Sequence, residues 1–112
     1  MSRAKLTPEL IELIADRFKA LAEPARLQIL NHLRRGERTV SELIDYTGIG
    51  QANLSKHLQI LLAAGFVDRR KEGLFVYYRL ANQDVFTLCD VMCGRLERDV
   101  KSRGKALALG LS

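Results

Sequence analysis

A chain of 112 residues with 47% hydrophobic content is long enough to bury one core without disulfide or metal support, so one domain is expected. Its 18 Lys and Arg against 13 Asp and Glu leave a formal charge of +5, which favours a polyanionic partner without specifying it. No apolar run is long enough to span a bilayer, and Met1-Ser-Arg-Ala-Lys-Leu6 leads into Thr-Pro-Glu rather than an apolar stretch with a cleavage site, which argues against a membrane span and a secretory signal.

Residues 1–7 read as a flexible polar start, and residues 8–100 as the folded unit. Thr7 is a helix cap and Pro8 suits the first helical position, after which Leu10, Ile11, Ile14, Phe18 and Leu21 repeat at helical spacing. Leu13 widens this stripe beyond what one neighbour requires, as expected of a helix that also packs on a second subunit. Glu23-Pro24 breaks the pattern and opens a second helix that runs to Arg35. There Leu27, Leu30 and Leu33 face inward with Ile29 alongside, Arg26, Arg34 and Arg35 stay outside, and Gly36 is a left-handed cap. Thr39 and Glu42 form a capping box for a third helix anchored by Leu43 and Ile44.

Gly48-Ile49-Gly50 then supplies a turn into a fourth helix, Gln51 to Ala64. Leu54, Leu58, Leu61 and Leu62 make its apolar stripe, with Ile60 off it, while Asn53, Ser55, Lys56 and Gln59 fall largely elsewhere and Gln51 leads in from the turn. Asn and Gln can bridge adenine, and Lys can reach guanine or phosphate, so this polar face suits the base edges of a major groove. Helix, glycine turn and polar-faced helix make a helix-turn-helix candidate. His57 lies within the same helix, to touch phosphate or to brace the turn.

After Gly65 the period becomes alternating. Phe66 to Lys71 and Leu74 to Leu80 flank Glu72-Gly73 and predict a β-hairpin, whose Arg69, Arg70 and Lys71 are placed to meet neighbouring phosphates or the minor groove. The fold expected is mainly α with a β-hairpin wing: a winged helix-turn-helix of five helices and two strands. Asn82 caps the last helix, Gln83 to about Val100, whose stripe of Val85, Leu88 or Cys89, Met92 and Leu96 has no core left to cover and pairs most simply with the first helix across a two-fold axis. Residues 101–112 read as a C-terminal tail.

Cys89 and Cys93 are the two cysteines, and neither a secreted disulfide framework nor CxxC or Cys–His zinc spacing is present, so a reducing, cytoplasmic setting is expected. At i and i+4 they share one helical face, where a two-fold axis could gather four thiols. Three readings stay open: small apolar residues packed in an interface, a soft metal or metalloid site, or thiol redox sensing. No paired carboxylates with a His, nucleophile elbow or phosphate-binding glycine loop supports an enzyme.

Three ordered motifs resemble one family. Leu21-Ala-Glu-Pro-Ala-Arg-Leu-Gln-Ile-Leu30 is similar to LADPTRLRIL, Ser55 to Val67 to SxHLxxLxxAGLV, and Gly73-Leu-Phe-Val-Tyr-Tyr-Arg-Leu80 to GrxvyYrL of the ArsR/SmtB transcriptional repressors. The resemblance covers roughly residues 8 to 100 and implies a homodimeric winged-helix repressor that leaves an inverted-repeat operator when a small effector binds, often a metal or metalloid ion or a reactive sulfur species. Two effector sites of that family are not carried over. Glu42-Leu-Ile-Asp-Tyr46 stands where many members have an ELCVCDL cysteine pair, and the positions of a last-helix zinc site fall on Asn82, Asp84, Arg95 and Arg98, of which the arginines cannot ligate zinc. The rival readings are a winged-helix protein-interaction module, in keeping with Asp68 and Glu72 on the wing, and a repressor with no ligand.

Overall fold

The computed structural model describes residues 5–103; the remainder of the expected N-terminal start and C-terminal tail lies outside the described residues. Helix α1 spans Pro8–Leu21, with the Thr7 hydroxyl accepting from the Leu10 N–H at 3.2 Å. Of α1 only Ala20 is fully buried, and Ile11, Leu13 and Phe18 are exposed. Glu23 is extended, as a residue before proline must be, and α2 runs Pro24–His32.

The second helix ends earlier than its pattern predicts. Leu33–Arg35 tighten into a 3-10 turn, and Gly36 sits at φ 142° and ψ −177°, a glycine conformation but not the left-handed cap expected there. Ile29, Leu30 and Leu33 are buried, whereas Leu27 is 40% exposed, which corrects its inward assignment. Three-residue spacing drifts around a helix that repeats every 3.6 residues, so Leu27 and Leu33 do not share a face.

Strand β1, Arg38–Thr39, is an element the sequence pattern does not reveal. The capping box then starts α3, Val40–Thr47: Glu42 N–H donates to the Thr39 hydroxyl at 3.1 Å and Thr39 N–H to the Glu42 carboxylate at 2.9 Å. The Thr39 backbone N–H, with help from the Thr39 side chain and the charge of Arg38, holds the Glu42 carboxyl below its usual range. Gly48, at φ 72° and ψ 6°, ends α3 in the left-handed conformation, and α4 follows over Gln51–Ala63.

Strands β2, Val67–Glu72, and β3, Phe75–Leu80, form the hairpin around a Gly73 at φ 60°. The short β1 joins it as a third antiparallel strand, in the order β1-β3-β2, pairing Arg38 with Tyr78 and Thr39 with Tyr77. Leu54, Leu58 and Leu61 of α4 are buried with Ile29, Leu30, Leu33, Leu43, Val67 and Tyr78, each large apolar side chain stabilising the fold by roughly 1.5–3 kcal/mol. That core fixes which side of α4 is left to solvent.

The chain divides at Ala81 and Asn82 into two compact units. The second holds helix α5, Asp84–Arg103, one residue later than expected because Asn82 Oδ1 accepts from the Asp84 N–H at 2.9 Å. Val85 and Phe86 are buried; Leu88, Val91, Met92 and Leu96 are exposed. Among the described residues no helix is long and apolar enough to cross a membrane.

Candidate nucleic-acid interface

Burial of the leucine stripe leaves Gln51, Asn53, Ser55, Lys56 and Gln59 exposed on the remaining circumference of α4. Gln51, Ser55 and Gln59 follow one another at four-residue spacing and therefore form a row along the helix. This row lines an open cleft of about 410 Å³ whose other walls are the start of α3, through Thr39 and Ser41, and the wing, through Arg69 and Leu74. Asn53 and Lys56 are exposed on α4 outside that cleft. The structure thus brings the Gln51 and Gln59 amides and the Ser55 hydroxyl together with the Arg69 guanidinium.

His57 does not belong with this set. It is half-buried, and its Nδ1 accepts from Arg26 Nε at 3.2 Å while Arg26 also donates to the Lys19 and Ala20 carbonyls. Through Arg26 the imidazole ties α4 to α2 and the end of α1.

The wing's cations also divide. Strand alternation puts Val67, Arg69 and Lys71 on one face of β2 and Asp68, Arg70 and Glu72 on the other. Arg70 meets Glu37 with both its Nε and a terminal nitrogen, at 2.8 and 2.7 Å, pairs with Glu72 through the other terminal nitrogen, and lies 4.2 Å from the Tyr77 ring centroid. The Arg70 hydrogen bond, opposed in part by burial, holds the Glu37 carboxyl below its usual range, and the two carboxylates raise the Arg70 pKa further. With both carboxylates engaged, Arg70 ties the hairpin to Glu37 and Glu72. Arg79 pairs with Asp68 at 3.6 Å on the same strand pair. Thr39, Ser41 and Glu37 were missed as site residues; the capping box marked Thr39, but no local signal marks the Glu37–Arg70 pair, which spans 33 positions.

On α5, Cys89 and Cys93 are exposed free thiols. The Cys93 thiol donates to Glu97 Oε1 at 3.7 Å, and the charge of Glu97, that hydrogen bond, burial and the charge of Asp90 push the thiol up from its ordinary value. Among the described residues no three His, Cys, Asp or Glu side chains are grouped to hold a metal ion, so the donors of one chain do not complete a metal site.

The family model described as bacterial regulatory protein, arsR family, matches residues 23–69, from the start of α2 into β2. An HTH-type transcriptional regulator of Mycobacterium tuberculosis is 40% identical over 94 residues, covering 81% of this chain but 42% of its own length. The chain therefore spans less than half of that relative. The arsenical resistance operon repressor of Bacillus subtilis is 37% identical over 78 residues, 69% of this chain and 74% of its own. The homodimeric winged helix-turn-helix DNA-binding domain Mb0332 of Mycobacterium bovis superposes with a TM-score of 0.71 at 35% identity, over 89% of this chain and 91% of its own. With helix-turn-helix, wing and relatives in agreement, the chain belongs to the ArsR family of bacterial transcriptional regulators, which are not enzymes.

Proposed function

We propose that this protein is a cytoplasmic, homodimeric repressor of transcription that binds an inverted-repeat operator, with residues 8–100 as its working domain. The observation that carries this reading is the row of Gln51, Ser55 and Gln59, exposed on α4 and facing a cleft shared with Arg69 of the wing. Gln51, Asn53, Ser55, Lys56 and Gln59 read base edges or meet phosphates in the major groove, and Arg69 and Lys71 meet adjacent phosphates. Exposed Ile11, Leu13 and Phe18 on α1 and Leu88, Val91, Met92 and Leu96 on α5 support dimerisation through the first and last helices, as does the homodimeric relative.

Cys89 and Cys93 are the place for a thiol-directed effector, either a soft ion or an oxidant or persulfide donor. The B. subtilis relative's link to arsenicals supports that class. Because the described residues of one chain group too few donors, an ion site there takes thiols from both copies. Mixed charge on the wing, with Asp68–Arg79 and Glu37–Arg70–Glu72 pairs, favours a second reading as a protein-interaction module.

The test is fluorescence anisotropy with the duplex just upstream of the gene and with random DNA, using protein that is reduced, oxidised, or treated with persulfide donor, arsenite, cadmium or zinc. Preference for the upstream duplex at two chains per site supports the repressor. Release by one treatment that Cys89→Ser and Cys93→Ser abolish identifies the effector class, and no response to any treatment leaves a repressor with no thiol effector. Equal binding to both DNAs favours the interaction module.

A further inference from the structure

Among the described residues the most exposed large apolar side chain stands at the tip of the wing, where Leu74 is 96% exposed. Glu72 and Phe75 pair across β2 and β3, so Gly73 and Leu74 are the two central residues of the hairpin turn. Gly73, at φ 60°, supplies the positive angle that the first of these positions needs, and Leu74 has no positive φ. A polar residue would serve the turn equally well at Leu74 and would leave no apolar surface in water.

Given the DNA-binding reading of α4, on which this rests, we propose that Leu74 is a wedge that enters the minor groove and partly unstacks a base step beside the sequence that α4 reads. Three observations select DNA as the occupant. Leu74 lines the same cleft as Gln51, Ser55, Gln59 and Arg69, so the tip flanks the polar face assigned to the major groove. Arg69 and Lys71 share one face of β2, and their partners on β3, Tyr78 and Val76, line the cleft too. The carboxylates of the hairpin are held by other cations, Glu72 by Arg70 and Asp68 by Arg79. An apolar tip beside two cations fits a polyanion with an apolar interior: phosphates meet Arg69 and Lys71, and stacked bases receive the leucine.

The chemistry of the side chain also sets what it prefers. Leucine has no donor or acceptor with which to read a base edge, so it reads how readily a step opens. The pyrimidine–purine steps TA and CA/TG unstack most easily, and a wedge there bends the duplex toward the major groove. Phe75, 57% exposed and with its ring centroid 6.5 Å from that of Tyr77, backs the turn with aromatic bulk.

The experiment is permanganate oxidation of the duplex just upstream of the gene, bound to the full chain, with anisotropy for affinity. Permanganate attacks unstacked thymine, which TA and CA/TG steps all contain. A reactive thymine at such a step in each half-site is expected. Leu74→Ala should remove it and weaken binding about tenfold at an unchanged salt slope, because no phosphate contact is lost, while Leu74→Met keeps the signal. At this exposure neither variant disturbs the core. Absence of a reactive thymine in the parent complex, or the same signal and affinity in Leu74→Ala, overturns the proposal. A Leu74→Ala chain that binds DNA as the parent does but sediments at half the mass makes the tip a contact between copies, and the proposal fails. Failure of the repressor reading is seen separately. Equal affinity for upstream and random DNA removes that reading while the thymine signal on either duplex still decides the wedge, and no binding to either duplex removes both.

Discussion

The division of the wing cations can be measured through salt. Each phosphate neutralised on B-DNA contributes about −0.9 to the slope of log K against log salt, so removing one contact from both copies of a dimer lowers the magnitude by about 1.8. Arg69→Gln should show that change. The double variant Glu37→Gln/Arg70→Gln removes one charge of each sign: the cluster of Glu37, Arg70 and Glu72 sums to −2 + 1 = −1 before, and Glu72 alone leaves −1 after. Its salt slope should match the parent, while affinity falls at every salt concentration because the hairpin loses an anchor. Anisotropy titrations between roughly 50 and 200 mM salt separate the two cases. A double variant whose slope falls as far as that of Arg69→Gln would refute the reasoning, since Arg70 would then have exchanged Glu37 for a phosphate.

Three further outcomes follow from the geometry. Leu58→Ala removes a side chain 1% exposed at the centre of the α4 stripe and should cost roughly 2–5 kcal/mol in urea unfolding; a loss below about 1 kcal/mol would mean that the site collapses around the gap. Gly48→Ala meets no neighbour within 4 Å, so its cost is the left-handed backbone alone, about 1–2 kcal/mol. A neutral effect in the same assay would show that the turn relaxes. Because Glu97 and Asp90 raise the Cys93 pKa, its thiolate is scarcer at neutral pH than that of an ordinary cysteine, and alkylation by iodoacetamide should accelerate only at higher pH. Glu97→Gln should bring that rise to lower pH, and an unchanged profile would remove Glu97 as the cause.

Local chemistry made much of this molecule legible. The Thr7 cap, the Thr39–Glu42 box and the Gly48 stop each act within a few residues, and the buried trio Leu54, Leu58 and Leu61 follows from helical period alone. The illegible features are contacts between residues far apart in the chain. Two-residue β1 has no period of its own and exists because β3 pairs with it. Arg70 looks like any exposed wing cation until Glu37 is brought beside it, and His57 looks like any surface residue of α4 until Arg26 reaches it across 31 positions. Leu27 failed for a different reason: spacing of three approximates the helix period only over a turn or two, and the drift carried it outward.

The central claim is that the exposed polar residues of α4, Gln51 and Lys56 among them, read base edges. Its most direct test compares Gln51→Ala and Lys56→Ala on the upstream duplex and on random DNA at one salt concentration. The account predicts a loss of about 1–3 kcal/mol on the upstream duplex and a smaller loss on random DNA, so that preference between them narrows. Equal losses on both would contradict it, leaving α4 as a backbone contact and placing sequence recognition elsewhere.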